Sequence, residues 1–174
     1  ADLILITHTH SDHLDSKSIG QLSREGTKVI APDAAKNTLP QAIIIKAGDE
    51  QTLNEVVVKA VAAYNLERKN PRTGQLYHPK DSGVGYIVTL GGQNIFFAGD
   101  TECVPEIKAL KNIDVAFLPI DGQYTMNPDE AAQCYKEITP KVAIPYHQNQ
   151  QDPNKIKDLL ADTPSIKVEI YNLP

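Results

Sequence analysis

Three of the chain's five histidines crowd into His8-Thr9-His10-Ser11-Asp12-His13. Imidazole and carboxylate are donors that zinc, manganese and iron accept, so the segment reads first as a metal site. It directly follows the apolar strand Leu3–Thr7. On an extended backbone, side chains two apart share a face, which lets His8 and His10 grip one ion. Asp12 and His13 come where the chain bends toward a helix, and that bend can aim them at a second ion. The bland alternative is a polar loop that happens to be rich in histidine. Four donor side chains in six positions, at the end of an apolar strand, weigh against it.

Two more segments end in the same way. Ile95-Phe96-Phe97-Ala98-Gly99-Asp100 is an apolar strand closed by Gly-Asp, where Gly99 allows a close backbone approach. Val142-Ala143-Ile144-Pro145-Tyr146-His147 is another, closed by His147. Donors gathered at the carboxyl ends of several strands form a crevice, the usual site in open α/β sheets. Alone, a strand-end Asp is more often a cap and a lone His more often a satisfied core residue. Their combination with the first segment lifts both.

The elements that must position these residues follow from short β-branched runs alternating with amphipathic stretches. Strands are expected at Leu3–Thr7, Lys28–Ala31, Ala42–Lys46, Val56–Ala63, Gly85–Leu90, Asn94–Ala98, Val115–Pro119, Val142–Pro145 and Lys167–Ile170. Helices are expected at Ser16–Glu25, Val104–Lys111, Asp129–Ile138 and Asn154–Ala161. Asp15 or Ser16 caps the first and Gly26 stops it. Gly91-Gly92 reads as a hairpin turn, which implies an α/β fold with a mixed sheet rather than a doubly wound parallel one. The longest stretch without evident structure, Leu66 to Ser82, carries Arg68, Lys69, Arg72, His78 and Lys80. A loop of that length in a compact domain is usually functional or mobile.

The 174 residues carry a net charge of −5, with 41% hydrophobic and 22% charged residues. Disorder, collagen and coiled coil are out on that composition. The acidic balance argues against nucleic acid as a partner, and no apolar run approaches the length of a membrane span. Cys103 and Cys134 are too few for a disulfide scaffold and form no CxxC pair, so free thiols in a reducing, cytoplasmic compartment are expected. The chain opens at Ala1 inside an apolar run, without Met or leader. That reads as one domain over 1–174, truncated at its N-terminus.

HxHxDH after an apolar strand, then Gly99-Asp100-Thr101, then strand-terminal His147, resembles the metallo-β-lactamase superfamily. More narrowly, the chain resembles its metal-dependent hydrolases of the ascorbate phosphate lactonase type. The resemblance implies an αββα sandwich with mixed sheets, here lacking its first strands, and a dinuclear site at one edge. It implies that His8 and His10 hold one divalent ion, that Asp12, His13 and His147 hold the other, and that Asp100 bridges them. Zinc is the first choice of metal and manganese the second.

The family usually supplies a third strand-end histidine to the first ion, where this chain has Asn65. A neutral amide suits harder ions better than zinc. His78, in the long loop after Asn65, is the remaining histidine, and such a loop can swing an imidazole over the crevice. Asn65 and His78 are therefore candidates for metal or substrate.

The function expected is hydrolysis of an ester, lactone, amide or phosphodiester by a metal-bound hydroxide, with Asp12 and Asp100 as catalytic carboxylates. Tyr124, after the strand Val115–Pro119, is a candidate substrate contact, and an ordinary surface turn is the competing view. The partner expected is a small molecule, anionic if the basic loop grips it, although a solvated charge run is the commoner role for such a loop. A homo-oligomer is compatible with this reading. The rivals are a metal-dependent phosphodiesterase or nuclease, and a metal-binding relative without catalysis.

Overall fold

Alternation along the strands decides which layer each side chain enters. The computed structural model describes residues 1–171. Three parallel strands, β1 (Leu3–Leu5), β2 (Lys28–Pro32) and β3 (Ile43–Ile45), form a small sheet in that order. A larger sheet holds β4 (Glu50–Leu53), β5 (Val56–Ala63), β6 (Gly83–Leu90), β7 (Gln93–Phe97), β8 (Val115–Pro119), β9 (Val142–Tyr146) and β10 (Lys167–Val168). Neighbours from β4 to β7 are antiparallel, and those from β7 to β10 are parallel. Parallel neighbours need crossovers, supplied by α2 (Pro105–Lys108), α3 (Pro128–Ile138) and α4 (Lys155–Leu159). Helix α1 (Ser16–Leu22) joins β1 to β2.

Ile30 and Ile45 of the small sheet pack on Val58, Ala60, Val84 and Tyr86 of the large one. One residue further along, Val61, Phe96, Ala116 and Ala143 turn the other way, toward Ile107 of α2, Tyr135 and Ile138 of α3 and Ile156 of α4. Ile6 and Ala31 likewise turn outward, toward Ile19 of α1. The order of layers is helix, sheet, sheet, helix: the αββα sandwich with a mixed sheet that the resemblance implied. Among the described residues, no helix is long and apolar enough to cross a membrane.

Three local expectations are corrected, and the choice between Asp15 and Ser16 as the cap of the first helix is decided. Helix α1 stops at Leu22 rather than Glu25, because Ser23 leaves the helical region while its N–H still bonds the Ile19 carbonyl. Asp15 is the cap, its carboxylate accepting from the N–H groups of Lys17 and Ser18. Strand β4 was not expected; its Glu50-Gln51-Thr52-Leu53 sequence is polar because it forms the sheet's edge, paired only with β5. The loop after β5 is partly ordered: Asn70 and Gln75, Arg68 and Tyr77, and Asn65 and His78 are joined by backbone hydrogen bonds. Its Arg68 turns inward to Glu102 and Glu130.

The cysteines are not free thiols. Cys103, just before α2, is disulfide-bonded to Cys134 on α3, with Cα atoms 5.8 Å apart. The two are 31 residues apart in sequence, and only the packing of α2 and α3 on one sheet face brings them together.

Candidate metal centre

Strands β5 and β7 each run antiparallel to β6, so they point the same way, and β8 and β9 continue that direction. Their carboxyl ends, carrying Asn65, Asp100, Asp121 and His147, therefore lie along one edge. The small sheet brings His8 to that edge. Val84 N–H bonds the Thr7 carbonyl at 2.8 Å. A Cβ on Gly83 would lie 2.8 Å from the His8 Cβ, so the approach of β6 requires glycine. Beyond it, the His10 carbonyl accepts from the N–H groups of His13 and Leu14, and this tight turn swings Asp12 and His13 back toward the edge. His147 sits at φ 49°, a left-handed conformation that non-glycine residues take rarely and that clusters at functional sites.

Two overlapping clusters result. His10 Nδ1 lies 3.1 Å from His8 Nε2 and 3.2 Å from His78 Nε2. Asp12 Oδ2 lies 3.4 Å from both His13 Nε2 and His147 Nε2. Asp100 stands between them: Oδ1 is 3.3 Å from His13 Nε2, and Oδ2 is 3.4 Å from His78, 3.5 Å from His147 and 4.0 Å from His8. Donor atoms of His8, His10 and His78, of His8, His13 and Asp100, and of Asp12, His13 and His147 fall within 4.8 Å of one another in each group.

These groups fit a metal. His13 Nε2 and Asp100 Oδ1 are buried without a hydrogen-bond partner. Buried polar atoms are otherwise almost always paired, and several imidazole nitrogens converging on one point cannot all be satisfied by shared protons. A cation placed among them would satisfy the lone pairs that shared protons cannot.

Burial sets the protonation of this edge. It pushes the His8 imidazole down to about 2, reinforced by His13 and His78, and it pushes His13 and His78 down to about 4. Burial raises Asp100 to about 7, against the pull of His147. His147 goes the other way, to about 9, because Asp121 hydrogen-bonds its ring and outweighs burial.

Asn65, fully buried, does not present its amide to the clusters. Its Oδ1 accepts from the backbone N–H of His78 at 2.8 Å and lies 2.9 Å from His78 Nδ1. His78 is the imidazole that enters. Tyr124 is 37% exposed at the rim, its ring edge-on to Tyr77 with centroids 4.8 Å apart.

Sequence reasoning passed over three supports. Asp121 Oδ2 lies 3.3 Å from His147 Nδ1, and its carboxylate also accepts from the N–H groups of Gln123 and Tyr124 and from the Thr125 hydroxyl. Its strand-end place after Val115–Pro119 and Ile120 was a usable signal. Thr7 Oγ1 lies 3.1 Å from His8 Nδ1 and 3.4 Å from His13 Nδ1. Glu102 accepts from the backbone N–H groups of Leu66, Glu67 and Arg68, pinning the start of the loop that carries His78. Neither of these two had a local signal.

The chain is similar in sequence and in fold to known proteins. Residues 1–147 match the β-lactamase superfamily domain. A UPF0173 metal-dependent hydrolase of Thermococcus kodakarensis is 32% identical over 186 aligned positions, covering 97% of this chain and 78% of the relative. A crystal structure of a Parabacteroides distasonis protein classed as a metal-dependent hydrolase superposes with a TM-score of 0.92 at 38% identity, covering 100% of this chain and 77% of that one. The metallo-β-lactamase fold protein YhfI of Bacillus subtilis superposes with a TM-score of 0.72 at 14% identity, covering 98% and 74%, a likeness of fold alone.

Proposed function

The chain belongs to the metallo-β-lactamase superfamily, among its UPF0173 metal-dependent hydrolases, and from that premise we propose that it cleaves a small-molecule ester, lactone, amide or phosphodiester with two divalent transition-metal ions. His8, His10 and His78 would hold one ion and Asp12, His13 and His147 the other, with Asp100 shared. Zinc suits a donor set of five imidazoles and two carboxylates best, and manganese is the second choice. Bound there, the ions would lower the pKa of water from 15.7 to roughly 7 and polarise the scissile group.

The observation that carries this reading is Asp100. It is the buried carboxylate with oxygens within 4.0 Å of imidazoles from both clusters. Its neighbours define its task. Asp121 braces His147, Thr7 braces His8 and His13, and Asn65 braces His78, so the donors stand in place before any substrate arrives. Asp12, whose side chain is well exposed, is the carboxylate open to solvent at the mouth. It would orient the attacking water, while Tyr124 at the rim would contact substrate.

The test is turnover on a panel of lactones, carboxylic esters, amides and phosphodiesters. It is run on protein as purified, after chelator, and after zinc or manganese is restored. Hydrolysis of one class, lost with chelator and regained with metal, is expected. Turnover that survives complete metal removal contradicts the proposal.

A further inference from the structure

Asn65 is held from two sides by groups whose chemistry leaves no choice of orientation. The backbone N–H of His78 can only donate, and it lies 2.8 Å from Oδ1. The Tyr124 carbonyl can only accept, and Nδ2 donates to it at 2.9 Å. The amide oxygen therefore faces His78 and the amide nitrogen faces Tyr124. The backbone closes the same pair, with the Asn65 N–H bonding the His78 carbonyl at 2.8 Å.

This fixes the ring as well. An amide oxygen 2.9 Å from His78 Nδ1 accepts a proton and cannot give one, so in the neutral imidazole the proton sits on Nδ1. Nε2 is left with its lone pair, pointing to where His10 Nδ1 lies at 3.2 Å and Asp100 Oδ2 at 3.4 Å. The other end of the amide reaches the turn that braces the second cluster, because the Tyr124 N–H is held by Asp121, which also bonds His147.

We infer that Asn65 is a positioning residue: it locks His78 in the Nδ1–H tautomer, aims Nε2 into the first donor cluster and ties that imidazole to the Tyr124 turn. This rests on His78 being a metal donor, as proposed above. Two substitutions separate the parts. Asn65→Ala removes both the acceptor and the donor. Asn65→Asp keeps an acceptor for His78 but replaces the donor toward Tyr124 with a second acceptor, so it should keep the tautomer and lose the tie.

The experiment reads imidazole tautomers by long-range ¹H–¹⁵N correlation in the metal-free protein, assigning His78 by its loss in His78→Ala. Zinc affinity of each variant is then titrated against a chromophoric chelator. The wild type and Asn65→Asp should show His78 protonated on Nδ1. Asn65→Ala should lose that signature and bind one zinc about 10–100-fold more weakly, the usual cost of removing such a support. Should Asn65→Ala fail to fold, the wild-type and Asn65→Asp spectra still decide. A wild-type His78 protonated on Nε2, or an Asn65→Ala protein with unchanged tautomer and zinc affinity, overturns the inference. A locked tautomer together with unaltered zinc binding in His78→Ala overturns the donor reading instead, so the two failures are told apart.

Discussion

The two donor clusters receive their outlying imidazoles in the same way and brace them differently. His78 rests on a neutral amide, Asn65, and His147 rests on a carboxylate, Asp121. The consequence is opposite charge behaviour. Burial holds His78 down at about 4, whereas Asp121 lifts His147 to about 9. In the first cluster the two buried imidazoles, His8 and His78, are held neutral; the second joins exposed Asp12 to an imidazole, His147, that keeps a proton near neutral pH. A neutral brace fixes geometry alone, while an anionic brace also makes the ring more basic. The first site therefore relies on shape and the second on charge.

The largest effect should come from the residue that belongs to both clusters. Asp100→Ala should lower turnover by orders of magnitude and weaken both ions, seen as reduced zinc content by elemental analysis. Loss of a single ion would mean that Asp100 serves one cluster and that the comparison is drawn in the wrong place.

Next is the anionic brace. Asp121→Asn keeps an oxygen near His147 but removes the charge, and it should weaken one zinc by about 10–100-fold while the other titrates as in the wild type. Equal weakening of both ions would show that the Tyr124 turn couples the clusters more strongly than either brace acts alone.

The metal-free protein should show the contrast as a two-sided pH dependence of stability. His8 and His78 have folded-state values far below the ordinary 6.5. The unfolded chain takes up their protons first, so their contribution is present above pH 6.5 and is lost as pH falls, toward about 4 for His78 and toward about 2 for His8. His147 lies above 6.5, so its contribution is full below that pH and is lost as pH rises through about 9. Thermal midpoints of chelator-treated protein should fall at both ends, and His147→Ala should flatten the alkaline side only. The smallest effect is reserved for the rim: Tyr124→Phe removes a hydroxyl but leaves the backbone held by Asp121 and Asn65, so zinc content should be unchanged and turnover close to wild type. A loss as large as that of Asp100→Ala would reassign the chemistry to the rim.

How much of this was legible in the sequence depended on distance along the chain. The segment from His8 to His13 packs its donors within one strand end, so spacing alone exposed it. Asp100 and His147 were readable because each closes an apolar run, and Asp121 closes one too but was overlooked. The partnership of Asn65 with His78 was not readable, because it spans 13 residues of loop whose path is set by Glu102 bonding three backbone N–H groups from another strand end. The layers followed from alternation, yet edge strand β4 escaped because an edge need not be apolar. The Cys103–Cys134 bond was hidden for the same reason as the Asn65 pairing: it is a product of tertiary packing.

The most direct test of the two-cluster account is anomalous diffraction at the zinc edge from crystals of the zinc-loaded protein. Two peaks are predicted, one contacted by His8, His10 and His78 and the other by Asp12, His13 and His147, with Asp100 touching both. A single peak, or a first peak that His78 does not touch, would contradict it.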